Sequence, residues 1–389
     1  MKEQTPVRIR PRRPVLERAV VVLAPAWVYL AVRAIGVLTL AIMAAADRSD
    51  LISELTAWDG GWLLAIAEHG YAGVPDDMLD AFGNHTPTTP LGFFPGYPAA
   101  VAAVGLLTGG NLVAAGLIVG VAAGIAAAFA LATLGEIVPG GSRRAGLLLV
   151  ALFAAMPMAV VLSMTYTEAL FCALAAWALV GVLRRQWLLA GLCTAGAGLV
   201  RPTASALLAA VGLAALVAVI TRKDGWRPWV GGALAATGLL GYLAYVAVQT
   251  GAWNGWFTIQ RTGWGWYVDG GGSTAAFVAD MLVNGETIFD VAVLTTLLAG
   301  IALFVVAVRM RVPWPLLVYG ALVLVMVWGS EGLTFAKVRL MVPAFVLLLP
   351  VAIGLAKRRP STAAAVTASV VLASAWFGGY ALTIWKYGI

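Results

Sequence analysis

Long apolar stretches recur along this chain from residue 19 to residue 385, with no interval between them large enough for a soluble domain. Backbone inside a bilayer must satisfy its own hydrogen bonds, so stretches of this kind fold as helices. Of the 389 residues, 61% are hydrophobic and 11% charged, against roughly 25% charged in ordinary soluble domains. The pattern predicts an all-α polytopic membrane protein, a single integral membrane domain over 1–389. Spans are expected at about 19–46, 111–134, 145–164, 168–183, 187–201, 203–221, 229–250, 288–308, 313–329, 339–356 and 361–385. That is eleven transmembrane helices.

The opening "MKEQTPVRIRPRRPVLER" reads as a cytoplasmic tail, 1–18, before the first span. That span is nearly twice as long as a signal-peptide core and reads as retained. Arg143/Arg144, Arg184/Arg185, Arg222/Lys223/Arg227, Arg309/Arg311 and Lys357/Arg358/Arg359 fall on the side of this tail. Asp47, Asp50, Glu54, Asp59, Glu68, Asp76, Asp77, Asp80, Glu168, Asp269, Asp280, Glu286, Asp290 and Glu331 fall on the other. Basic loops mark the cytoplasm, so the acidic side and the C-terminus are expected to be extracytoplasmic. The net charge of +7 therefore suits an anionic lipid surface and membrane lipids, not nucleic acid. Cys172 and Cys193 lie far apart in apolar segments and read as packing residues.

The stretch "FFPGYPAAVAAVGLLTGG", 93–110, is apolar over too few residues to span and would invert the charge pattern if it did. It reads as a short interfacial or re-entrant helix with Pro95 and Pro98 at its start. Two long extracytoplasmic loops result, 47–110 with surface helices and 251–287, both rich in Trp, Gly and Asp. Loops of this length are usually functional. No internal repeat is evident.

The polar residues in and beside the spans carry the chemistry. Asp59, in "TAWDGGWLLAIAEHGY", has two readings. It is the N-cap of a short helix closed by Gly70, with Trp58 and Trp62 as interfacial anchors, or it is a general base at the membrane surface. Glu168, in "SMTYTEALF", suits a helix start by its charge, or serves function as an acid at a span end. Arg201, in "GLVRPTA", is a lone cation on the acidic side: a snorkelling side chain, or a bidentate clamp for phosphate. Lys337 and Arg339, in "GLTFAKVRLMVPAF", either pair with Glu331 or help Arg201 hold phosphate. His85 reads as a loop residue or a substrate contact, and His69 as a helix-end residue. No metal-ligand constellation and no nucleotide-binding loop stands out, so no cofactor is expected.

"WDGGWLLAIAEHGY" followed by "FFPGYP" resembles the family of the second GPI mannosyltransferase (PIG-V type) and its bacterial relatives. "TYTEALF", "LVRPTA" and "VRLMVPAF" resemble later elements of that family in the same order, although "RPT" departs from its more polar arginine segment. The resemblance implies the GT-C superfold and a membrane glycosyltransferase that moves mannose from polyprenyl-phosphate mannose to a glycolipid acceptor. It implies Asp59 and Glu168 as catalytic residues and Arg201, Lys337 and Arg339 as donor-phosphate ligands. Trp58, Trp62, His85, Tyr166, Gln260 and Trp264 are the candidate substrate contacts. The alanine-, glycine- and tryptophan-rich composition points to a bacterial plasma membrane and to an acceptor other than a GPI anchor. A lipid or lipid-linked-sugar flippase, and a GT-C enzyme for another polyprenyl-phosphate sugar, are the alternatives.

Overall fold

The computed structural model describes residues 20–285, 287–385 and 387–388. The basic N-terminal tail and Glu286, both used above to assign sides, lie outside the described residues. Helix α1 (Ala24–Asp47) is followed by three short helices, α2 (Leu51–Thr56), α3 (Asp59–His69) and α4 (Gly96–Gly105). Next come α5 (Leu112–Ile137), α6 (Arg143–Ala154), α7 (Glu168–Leu183), α8 (Trp187–Gly198), α9 (Ala204–Ile220) and α10 (Arg227–Thr250). The second long loop holds α11 (Gly255–Trp264), strand β1 (Tyr267–Val268) and α12 (Gly272–Asn284). Then follow α13 (Ile288–Arg309), α14 (Trp314–Trp328), β2 (Ser330–Glu331), α15 (Lys337–Leu340), α16 (Leu349–Ala356) and α17 (Pro360–Thr383).

This is an all-α membrane protein by class, helical apart from two strands of two residues each among the described residues. By length and hydropathy α1, α5, α10, α13 and α17 can each cross a bilayer, and α7, α8, α9 and α14 are shorter apolar helices. Helix α4 has 10 residues, about 15 Å at 1.5 Å per residue, against a hydrocarbon core of about 30 Å.

Two expected spans are not single helices. The segment read as 145–164 stops at Ala154 and resumes as a 3-10 turn, Ala159–Ser163. Pro157 lacks an amide donor and disfavours the helical conformation at Met156, which ends the helix. The segment read as 339–356 is bent by 55° between Thr334–Leu340 and Val342–Ala356, with Pro343 just beyond the bend.

Arg33 holds the first of these breaks. It lies within α1 and is buried, donating from Nε to Ser163 Oγ at 2.9 Å and from Nη1 to the Ala154 carbonyl at 3.0 Å. A charged residue inside a span requires such partners. Here they are the end of α6 and the end of the 3-10 turn, so the route from Ala154 to Ser163 is pinned at both ends.

Helices α8 and α10 pack backbone to backbone. A Cβ added at Gly191 would strike the Gly231 backbone, at Gly231 that of Trp187, at Gly198 that of Leu239 and at Gly238 that of Ala195. Small residues of this kind let membrane helices approach closely and gain dispersion contacts that larger side chains would block.

The basic loops gather at the ends of the helices away from Glu168. Arg143 donates to the Val21 carbonyl and Arg144 Nη1 to that of Ala356 at 3.1 Å, which joins the start of α6 to the end of α16. Arg185 and the Trp187 indole both engage Asp224, joining the α7–α8 and α9–α10 turns.

The glycine contact has a measurable consequence. Gly238→Leu is expected to destabilise the protein by about 1–3 kcal/mol through overpacking. Gly241→Leu, on the same helix but with open space around its Cβ position, should change stability by less than about 0.5 kcal/mol. Thermal unfolding in detergent of both variants checks this pair.

Candidate active site

The site begins at the first turn of α7. Residues Tyr166 and Thr167 lead into Glu168, whose side chain has no solvent exposure. An ionised carboxylate so placed requires charged or hydrogen-bonding partners. Arg201 supplies one. It sits in the turn between α8 and α9, where Pro202 turns the preceding residue away from helix. Its Nη1 forms an ion pair with Glu168 Oε1 and donates to Thr167 Oγ1 at 2.8 Å. Arg339 approaches from α15, with Nε 3.7 Å from the same Glu168 oxygen and Nη1 donating to Asp59 Oδ2 at 2.6 Å. Its guanidinium also lies over the Tyr166 ring, 5.3 Å from the centroid. The Tyr166 hydroxyl accepts the Asp59 backbone N–H at 3.2 Å. Asp59, Arg339, Glu168 and Arg201 thus form one continuous alternation of charge.

Asp59 is not the N-cap of its helix. It is the first helical residue of α3, and Trp58 precedes it at φ 56° and ψ −120° with no side-chain cap. A residue bearing a side chain in this region carries a strain of about 1–3 kcal/mol and is held there by its surroundings. Gly60 shows part of that restraint, because a Cβ on it would lie 2.6 Å from Thr165 Oγ1. The Asp59 carboxylate faces Arg339 instead of the helix amides, and its Oδ1 accepts no hydrogen bond from the described residues. Gly70 closes the helix with φ 67°, as the sequence predicts.

These groups border a cavity of about 230 Å³. Its charged lining residues are Asp59, Arg201, Glu331, Lys337 and Arg339. Most of its aromatic lining comes from two segments, the 91–94 stretch and α11 with the residues after it: Phe93, Phe94, Trp256, Trp264 and Trp266. The backbone carbonyls of 91–93 explain why these segments meet. Gly92 O accepts from Gln260 Nε2 at 2.8 Å and from Trp256 Nε1 at 3.3 Å. Tyr242 donates to Leu91 O and Phe93 O, and Tyr71 to Phe93 O. Gly92 must be glycine here, since a Cβ would lie 2.7 Å from the Trp264 indole nitrogen.

The structure brings most of the expected residues together. Asp59, Tyr166, Arg201, Gln260, Trp264, Lys337 and Arg339 line the cavity, and Glu168 lies directly behind the arginines. Trp62 sits one layer further out, stacked on Phe93 and edge-on to Trp264. Trp58 is half-exposed and does not line the cavity. His85 does not line it either. Its Nδ1 contacts the Met78 carbonyl at 2.8 Å and its Nε2 lies 3.5 Å from Asp76, so it organises its own loop. Lys337 donates to the Val327 and Ser330 carbonyls at 2.7 and 2.6 Å, which leaves one of its three donors without a partner among the described residues. Glu331 pairs with neither Lys337 nor Arg339. It accepts the Tyr267 hydroxyl instead.

That last contact belongs to a feature the sequence reading lacked. Strands β1 and β2 pair antiparallel, Tyr267 opposite Glu331 and Val268 opposite Ser330. The acceptor Glu331 raises the pKa of the Tyr267 hydroxyl. Next to it, Asp269 accepts the Ser273 and Gly271 amides, which hold its pKa down to about 2. Trp256 and Trp266, which also line the cavity, belong to the tryptophans of 253–266 that the sequence offers either for stacking on a sugar or for marking the interface. Arg33, a lone cation inside the first apolar run, was legible and was not singled out.

The buried pair predicts an asymmetry between variants. Arg201→Met leaves Glu168 with only the more distant Arg339, and is expected to destabilise by about 3 kcal/mol. Adding Glu168→Leu removes the stranded charge and should recover most of that loss. Thermal unfolding of the two single variants and the double variant measures the coupling.

No protein-family model matches this chain, and no curated protein sequence matches it.

Proposed function

We propose that this chain is a membrane glycosyltransferase of the GT-C kind. It transfers mannose, with inversion, from polyprenyl-phosphate mannose to a glycolipid on the extracytoplasmic face of a bacterial plasma membrane. One observation carries the reading. A carboxylate with an unengaged oxygen and two guanidiniums border a single cavity at one end of an apolar bundle. The basic loops lie at the other end, which fits eleven crossings with those loops cytoplasmic.

The chemistry follows from the groups present. The donor's prenyl chain lies in the bilayer and its phosphate at the interface, beside Arg201 and Arg339. Both arginines line the cavity, and guanidinium suits phosphate oxygens. Lys337 adds charge but little hydrogen-bonding capacity. The acceptor hydroxyl attacks the anomeric carbon opposite the phosphate through an oxocarbenium-like transition state. Asp59 Oδ1 takes its proton, a contribution of about 10²–10⁴ in rate. Negative charge that grows on the leaving phosphate is stabilised by the arginines. Glu168 holds both arginines in place and does not reach the cavity itself. The aromatic wall of Trp256, Trp264 and Trp266 with Gln260 suits the apolar face and hydroxyls of a sugar.

The gathering of ionisable groups at one end favours surface chemistry over alternating access, in which a midplane site between repeats is expected. The deciding experiment incubates purified protein with several polyprenyl-phosphate sugars and a membrane lipid extract, read by mass spectrometry. The expected result is a lipid heavier by one hexose with the mannosyl donor. A product with a different sugar only would reassign the donor, and no product with any donor would favour the flippase. In the same assay Asp59→Asn should abolish transfer with folding intact, and a wild-type rate would remove the base assignment. Arg201→Ala, compared at equal amounts of folded protein because the buried pair also supports stability, should show a defect in donor use.

A further inference from the structure

We infer that Arg339 is handed from Asp59 to the leaving phosphate during each turnover, so that one ion pair serves as both the base and the reserve of the phosphate clamp. The inference rests on the reading above and deepens it.

The geometry is specific. Arg339 Nη1 holds Asp59 Oδ2 at 2.6 Å. Arg339 and Arg201 both address Oε1 of Glu168, so their guanidiniums converge on one point behind the cavity wall. Asp59 is faced by Arg339 and by the Tyr166 ring and hydroxyl, with Glu168 beyond; Lys337 and Glu331 line the same cavity. In this resting arrangement Arg339 is balanced by Asp59, and Arg201 by Glu168.

The reaction changes that balance in one place. The acceptor oxygen forms its bond to the anomeric carbon, and the bond from that carbon to the phosphate oxygen breaks. The electron pair of that bond stays on the phosphate, which passes from a monoanionic diester to a dianionic monoester. The hydroxyl proton moves to Asp59 Oδ1. Neutral Asp59 is a weaker partner for a guanidinium, since charge-assisted hydrogen bonds are roughly twice as strong as neutral ones. Arg339 loses its counter-charge at the moment a second negative charge arises on the phosphate. The released guanidinium has five N–H donors and lines the cavity with Arg201, so it turns to the new charge with little displacement. The arrangement also opposes early capture: while Asp59 is ionised it occupies Arg339, and a dianionic monoester must compete with that carboxylate for the guanidinium.

Asp59→Asn reproduces the charge state after proton transfer. The test measures binding of farnesyl phosphate, a dianionic monoester, and of farnesyl methyl phosphate, its monoanionic diester, to purified protein in detergent by calorimetry. Asp59→Asn is expected to bind the monoester at least tenfold more tightly than wild type, and the diester less than threefold more tightly. In an Arg339→Met background the gain from Asp59→Asn should fall below threefold. A gain equal for both ligands, or one that survives Arg339→Met, would show simple removal of a negative charge and overturn the hand-over. So would binding of the monoester to wild type with no gain in the variant. If wild type binds neither ligand, the donor assignment itself fails, and the hand-over with it. Asp59→Ala, expected to give the same gain, is the second variant should Asp59→Asn not fold, and thermal unfolding monitors each protein.

Discussion

A carboxylate with no access to solvent governs this architecture. Glu168 stands at the first turn of α7 inside an apolar bundle, where an unpaired charge would be expelled or neutralised. Its partners come from far along the chain, Arg201 from the turn between α8 and α9 and Arg339 from α15. Arg339 in turn fixes Asp59 at the start of α3. Meeting the electrostatic demand of one acid therefore draws four distant stretches of sequence to one point, and the cavity forms where they meet. The surrounding helices answer to dispersion and small-residue packing, which set distances but name no particular point in the bundle.

The helices that converge there do so at their ends. Membrane helices cannot be interrupted cheaply at mid-depth, because each freed carbonyl or amide needs a partner. This chain makes its breaks at Pro157, Pro202 and the bend near Met341, and each break delivers a polar residue. Arg33 satisfies the carbonyl freed at the first of them. The polar groups are thus located by where the backbone stops being helical.

Much of this was legible in the sequence. Apolar runs announce membrane helices regardless of context, and the short, proline-led stretch after Phe93 is too short for a span and folds as the 10-residue helix α4. Asp59, Arg201 and Arg339 stood out because charge in an apolar setting demands an explanation, and they do share a cavity. What was not legible depended on contacts between distant residues. Nothing local to Asp59 reveals that Arg339, and not the amides of its own helix, engages its carboxylate. Nothing local to Glu331 favours Tyr267 over the nearby cations. His85 is a loop organiser because of Met78 and Asp76, residues whose proximity only the folded loop creates. The segment read as 145–164 is not one continuous helix for a local reason that hydropathy averages away, a single proline.

The two-residue strand pairing gives the cavity a mechanical linkage. Ser330 pairs with Val268 and also offers its carbonyl to Lys337, while the residues just before Tyr267 form the aromatic wall. Trp266, one residue before the strand, and the ammonium group of Lys337 are therefore tied to each other through a few residues of backbone, so two unlike parts of the cavity lining share one support.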